Sequence, residues 1–174
     1  TPSTSHLLTM TSLTLDQANQ IITAALAHSK QAGYQPMGIA VLDDAGHLKA
    51  FAREDGASMF RFDVARAKAW GAVGMGVSSR ALADRAKGNP NFFVSLAATA
   101  QGKFLPQTGA VVIKNAQGKI IGAVGASGGT GDEDELICIA GVAWAVWRSK
   151  TESKELREMD AELAGASKGS LQEL

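Results

Sequence analysis

Four consecutive acids, Asp132, Glu133, Asp134 and Glu135, follow a glycine-rich run from Gly125 to Gly129 and open an apolar helical pattern. A helix start carries partial positive charge, so acids there are stabilised by about 0.3–1 kcal/mol each, a need that one or two would meet. Carboxylates brought together in a buried site push one pKa upward and can supply a general acid or base. Glu133 and Asp134 are therefore the candidate catalytic residues. Thr130 and Glu133 also have capping-box spacing, which would claim the glutamate for structure instead. Glycines in the preceding loop let backbone N–H donors approach an anion, and the helix start favours negative charge. Ser127 and Gly128 are the candidate ligand contacts there, a tight turn being the structural alternative.

A second set of charged residues lies earlier in the chain. Arg53-Glu54-Asp55-Gly56 ends a strand-like run, where the arginine could hold a carboxylate with two hydrogen bonds and Asp55 could position the loop. An internal Arg53–Asp55 pair would satisfy the same residues. Lys68 sits among Ala65, Ala67, Ala69 and Trp70, small neighbours that leave its ammonium either in a cleft or, as the local pattern favours, turned outward to solvent. Arg53, Asp55 and Lys68 join Ser127 and Gly128 as ligand-binding candidates. His28 follows the apolar face of the first helical segment and is the candidate axial haem ligand, the alternative being an ordinary helical histidine. His6, His28 and His47 show no metal-ligand spacing, and Cys138 has no zinc-type partner, so no metal cage is expected. Cys138 falls within an apolar helical pattern and reads as a buried thiol. The G-x-S-x-G elbow and the Walker loop are both missing.

The elements that must position these residues follow from periodicity and punctuation. Thr14 with Gln17 forms a capping box, and Ala18, Ile21, Ile22, Ala25 and Leu26 recur at helical spacing up to Gly33. Residues 37–42 and 48–53 read as strands around Asp43-Asp44-Ala45-Gly46, and residues 111–113 and 120–124 as strands around Asn115-Ala116-Gln117-Gly118. Between the hairpins, Ser58 is placed to cap a helix to about Met75, Ser78 or Ser79 another to Lys87, and Asn89-Pro90-Asn91 breaks the pattern before residues 92–98. A final helix from about Asp132 to Arg148 is apolar around so much of its circumference that it should be largely buried. Hairpin, helices, hairpin, helix is the order of an α+β fold with an antiparallel sheet.

Length and composition bound the rest. At 174 residues and 45% hydrophobic content the chain can bury one sizeable core. The expected organisation is a flexible N-terminal segment at residues 1–12, of which the first nine read as foreign or processed, a single domain at 13–148, and a charged helical tail at 149–174. Leu156, Met159 and Leu163 form a thin apolar stripe on that tail, suited either to solvent or to a partner subunit. Seventeen basic and seventeen acidic residues cancel, which argues against the basic field of a nucleic-acid binder. A single cysteine excludes an internal disulfide, and neither a signal core nor a membrane-length apolar run is present. The cytoplasm is the expected compartment.

In combination, residues 39–43 (IAVLD), 53–57 (REDGA), 65–69 (ARAKA), 121–128 (IGAVGASG) and the run from Asp134-Glu135 through Gly141 resemble the GlcG/HbpS family of haem-binding proteins, which is related to the C-terminal domain of PduO-type corrinoid adenosyltransferases. The resemblance covers about Leu13 to Trp147. It implies a profilin-like, three-layer α+β domain with a central antiparallel sheet and helices packed on it, assembly into homo-oligomers, and binding of haem or another small ligand. Three departures make the expected pocket more charged: Glu54 where methionine is common, Arg61 where serine is common, and Thr108-Gly109 where paired glycines are common.

Two functions follow as expectations. The first is a small-ligand-binding protein of the GlcG/HbpS type, with haem as the cofactor, in which Arg53 and Lys68 contact propionates or another carboxylate and the glycine loop donates N–H groups. The alternative is a cofactor-independent lyase, hydratase or isomerase acting on a small oxygenated carboxylate, with Glu133 or Asp134 moving the proton.

Overall fold

Thr14 starts the first helix, α1 (Leu15–Ala32): its hydroxyl accepts from the Gln17 N–H while the Gln17 side chain accepts from the Thr14 N–H, and Gly33 ends the helix in the left-handed region. The computed structural model describes residues 12–169. Two hairpins and four further helices follow: β1 (Gly38–Asp43), β2 (Leu48–Arg53), α2 (Phe60–Met75), α3 (Ser79–Gly88), α4 (Pro90–Thr99), β3 (Ala110–Lys114), β4 (Ile120–Ser127) and α5 (Gly131–Gly169). The strands form one antiparallel sheet in the order β2-β1-β4-β3, so each hairpin contributes its inner strand to a central pair. This is the expected α+β architecture, five helices packed on a four-stranded open sheet.

The two faces of the sheet differ in side-chain size, and that difference sets the layers. On one face Leu42, Ala110 and Ala123 pack with Ala69 and Ala72 of α2. On the other, Ile39, Val41, Val124 and Ala126 pack with Ile21, Ile22 and Ala25 of α1 and Ile137 and Cys138 of α5. Small residues bring α2 unusually close: a β-carbon added at Gly125 would collide with the Ala65 carbonyl oxygen and lie 3.1 Å from the Ala69 methyl. α2 packs on one face and α5 on the other, which sets Lys68 of α2 and Asp134 of α5 on opposite sides of the sheet.

Four local expectations are corrected. Ser58 makes no side-chain cap; Met59 occupies the N-cap of α2 without one, and the Ser58 carbonyl accepts from the Arg61 N–H at 3.1 Å. The expected break between helices falls at Asn89, but Pro90 already begins α4 rather than preceding it, because its missing N–H costs nothing at the first helical position. Residues 131–169 form one helix rather than a buried helix and a separate tail. No proline interrupts that stretch, glycine is absent between Gly141 and Gly165, and the pairs Arg148–Glu152 and Lys154–Glu158 bridge successive turns. Finally, α5 is not largely buried: Leu136, Ile139, Trp144 and Trp147 are 50%, 48%, 46% and 56% exposed. Residues 1–11, the expected leading segment and His6 with it, lie outside the described residues, as do the side chains of Leu156 and Leu163. Among the described residues no helix is long and apolar enough to cross a membrane.

Gly125→Ala should destabilise the protein by about 1–3 kcal/mol by forcing α2 from the sheet, whereas Gly74→Ala, on α2 where an added methyl meets nothing within 4 Å, should stabilise it by about 0.5–1 kcal/mol. Urea unfolding of both variants measures this; equal effects would mean that α2 is not held at contact distance.

Candidate functional site

The end of the sheet where β1 and β3 begin and β2 and β4 finish carries two clefts. The larger set of nominated residues meets in the first, a cleft of about 500 Å³. Arg61, Val64 and Lys68 line it from one face of α2, at helical spacings of three and four. Thr108 comes from the segment before β3, Ser127 from the last position of β4, and Thr130 and Asp134 from the start of α5.

Lys68 Nζ donates to Asp134 Oδ2 at 2.8 Å and to the Ala126 carbonyl at 3.2 Å. Both side chains are buried, with 7% and 3% of their surface accessible. Lys68 is therefore not the outward-turned lysine its small neighbours favour: α2 lies too close to the sheet for the stem to leave, and the ammonium emerges past the strand ends instead. Asp134 also accepts from the Gly129 N–H at 3.0 Å. Burial pushes its carboxyl above the ordinary carboxylate range, opposed by the Lys68 hydrogen bond and charge, the Gly129 N–H and the charge of Arg61. Gly109 makes room for the pair. Its φ is +130°, and a β-carbon there would stand 2.6 Å from Lys68 Nζ and 2.9 Å from Asp134 Cβ.

The other acids of the helix start are spent on structure. Thr130 N–H donates to Glu133 Oε2 at 2.8 Å and Glu133 N–H to Thr130 Oγ1 at 3.3 Å, the capping box. Asp132 and Glu135 both accept from Arg80 of α3, Glu135 at 2.7 Å. Ser127 is buried and accepts from Arg61 Nη1 at 3.3 Å. Gly128 is not among the residues that line the cleft; Pro36 and Met37 press against the position its β-carbon would take. Cys138 is buried, its Sγ 3.6 Å from the Gly109 carbonyl, and burial together with the Asp134 charge raises its pKa well above the thiol range.

The second cleft, about 530 Å³, separates Arg53 and Asp55 from this group. Ser29, Lys30, Tyr34 and Pro36 complete its walls with Glu54. Arg53 is not paired with Asp55: its Nη1 donates to the Ala57 carbonyl at 2.6 Å and holds the following loop. Glu54 accepts from the Met37 N–H at 2.7 Å. His28 lies exposed on α1 and lines neither cleft. Thus Lys68, Ser127 and Asp134 come together, Glu133 stands beside them as a cap, and Arg53, Asp55 and His28 lie elsewhere. The sequence marks Arg61 only as an added charge in the expected pocket and does not single out Val64. The available signal was their spacing from Lys68 on one helical face. Among the described residues no group of three His, Cys, Asp or Glu side chains is placed to hold a metal ion.

A family model described as haem degrading protein HbpS-like matches residues 13–143. The crystal structure of a PduOC–heme complex is similar at 26% identity with a TM-score of 0.68, over 76% of this chain and 94% of that one. A doubly substituted HbpS of Streptomyces reticuli is similar at 28% identity with a TM-score of 0.67, over 82% and 93%. Protein ORFY of Klebsiella pneumoniae shares the fold at 23% identity with a TM-score of 0.70, over 77% and 90%. No curated protein matches the chain.

Lys68→Met should cost about 3–5 kcal/mol by leaving a buried carboxylate without its counter-ion, and Asp134→Leu should cost a similar amount from the other side. The double substitution should recover most of that loss. Urea unfolding of the four proteins checks this; simply additive losses would show that the two charges do not depend on each other.

Proposed function

The chain belongs to the HbpS-like family, and on that premise we propose that it is a small-ligand-binding protein whose ligand enters the cleft between α2 and the start of α5, with haem as the candidate ligand. The observation that carries this reading is the convergence of Lys68, Ser127 and Asp134, from three separate segments, around an open cavity of about 500 Å³. Clefts of this size with a few fixed polar groups are where small ligands bind. The likeness to a PduOC–heme complex supports haem in particular.

The cleft residues suit one part of haem better than another. Arg61 and the start of α5 suit a propionate. For the iron the walls offer hydroxyls and carboxylates from Thr108, Ser127, Thr130, Asp132 and Asp134, but no imidazole and no sulfur. His28, exposed on α1, is set apart from this cleft. The reading therefore seats haem by its acid edge and assigns no iron ligand.

The acid–base alternative, a lyase, hydratase or isomerase, rests on Asp134 alone, because the Glu133 carboxylate is engaged by the Thr130 N–H. Asp134 is itself held by Lys68 and Gly129. That arrangement favours binding over proton transfer.

We also infer that the protein self-associates through α5. Leu136, Ile139, Trp144 and Trp147 leave about half their surface in solvent on a single chain, more apolar area than a monomer's scattered exposed residues explain.

Titration with hemin should give a saturable Soret shift in the wild type and in His28→Ala, and lose it in Val64→Trp, which fills the cleft. A shift that survives Val64→Trp would move the ligand out of this cleft. In light scattering, the wild type should have a mass that is a multiple of 18.1 kDa, and Trp144→Glu/Trp147→Glu should reduce it to one chain. A monomeric wild type would remove the self-association reading.

A further inference from the structure

We infer that Arg61 selects the ligand by charge: its guanidinium seats one carboxylate group at the mouth of the cleft, so the cleft takes carboxylate-bearing ligands over neutral or phosphorylated ones. This rests on the reading that the cleft binds a ligand, and it adds which group of the ligand is recognised and by which residue.

The charges lining the cleft are unequal in their partners. Lys68 is matched by Asp134, and Asp132 by Arg80. Arg61 has no carboxylate within ion-pair distance among the described residues. Among the same residues its one bond to a side chain is the 3.3 Å contact from Nη1 to Ser127 Oγ, and its buried Nε has no hydrogen-bond partner there. A buried donor left unmade costs about 1–3 kcal/mol, so the guanidinium holds unspent donor capacity that a ligand oxygen would satisfy. Arg66 also has an orphaned Nε, but it has Asp63 at 3.9 Å and its guanidinium lies over the Phe62 ring. Arg61 has neither compensation.

The arginine is also held in place. A β-carbon at Gly38 would stand 2.7 Å from Arg61 Cβ, so the stem is pressed against the first residue of β1. A fixed fork loses less freedom on pairing with a planar carboxylate, to which it can give two parallel bonds. The same fork fits phosphate in shape, and charge decides between them. One negative charge neutralises Arg61. A phosphate dianion puts two charges on the one group at the fork, beside the Asp134 and Asp132 carboxylates, whereas the two carboxylates of a porphyrin sit on separate arms and need not both enter.

The test compares hemin with its dimethyl ester, which keeps the porphyrin and iron but has no free carboxylate, and uses benzoate and inorganic phosphate as competitors. The wild type should prefer hemin to the ester by roughly tenfold or more, the worth of one charge-assisted hydrogen bond. Benzoate should compete and phosphate should not. Arg61→Gln, which keeps the packed stem, should bind hemin and ester alike, and Arg61→Lys should restore part of the preference. If Val64→Trp abolishes hemin binding while Arg61→Gln keeps the full preference, the cleft stands and the role of Arg61 falls. If Val64→Trp leaves hemin binding unchanged, the cleft reading falls and this inference with it, as it does if the wild type binds none of the four probes. Phosphate competing as well as benzoate would overturn the carboxylate class.

Discussion

The buried pair between Lys68 and Asp134 is the contact on which the arrangement of this end of the molecule depends. α2 and α5 lie on opposite faces of the sheet and meet only past its strand ends, where the ammonium of one reaches the carboxylate of the other at 2.8 Å. Taking both charges out of water is expensive, and their mutual attraction offsets that cost only in good geometry with the remaining hydrogen bonds made. Ala126 and Gly129 supply those bonds. Gly109 leaves the space, with a φ of +130° that a side chain rarely adopts. A pair of this kind does more to specify one arrangement of the two layers than to stabilise it, since apolar residues of similar size would pack there without a desolvation cost.

The sheet prepares that meeting. Its α2 face carries Ala110, Ala123 and Gly125 beside Leu42, so the helix approaches to backbone contact at Gly125 and carries Lys68 deep enough to be buried. Its other face is built from isoleucine and valine, which hold α1 and α5 at side-chain distance. The cleft opens at the strand ends because that is where the two helical layers are no longer separated by strands. Arg61 and Val64 then face into it because they stand two turns and one turn before Lys68 on the same helix. Arg80 fastens the start of α5 to α3 through Asp132 and Glu135, which fixes the far wall.

Membership of the HbpS-like family and the local chemistry bear on different questions. The family match spans residues 13–143, while the charge of the cleft comes from Arg61, Lys68, Asp132 and Asp134, of which Lys68 and Asp134 fall in the segments that resemble the family. Glu54, expected to add charge to the pocket, does not enter the cleft; it ties the end of β2 to Met37. The long continuous α5 adds a third feature, an apolar stripe turned away from its own core.

Sequence alone determined what depends on neighbours a few residues apart. The Thr14–Gln17 cap, the glycine end of α1, both hairpins and the Thr130–Glu133 capping box are all contacts within one or two turns, so residue types and short spacings were enough. The segments that resemble the family also carried the layer architecture. Tertiary structure decided what depends on distance along the chain. Lys68 and Asp134 are 66 residues apart, and no local pattern says that an alanine-flanked lysine is buried or that one of four adjacent acids is its partner. Arg53 and Asp55 looked equivalent to Lys68 as ligand contacts, yet the strand order β2-β1-β4-β3 sets them over the other edge of the sheet, in a different cleft. Which charges share a cavity is settled by strand order and by how closely a helix can approach the sheet, and both arise only when the whole core packs.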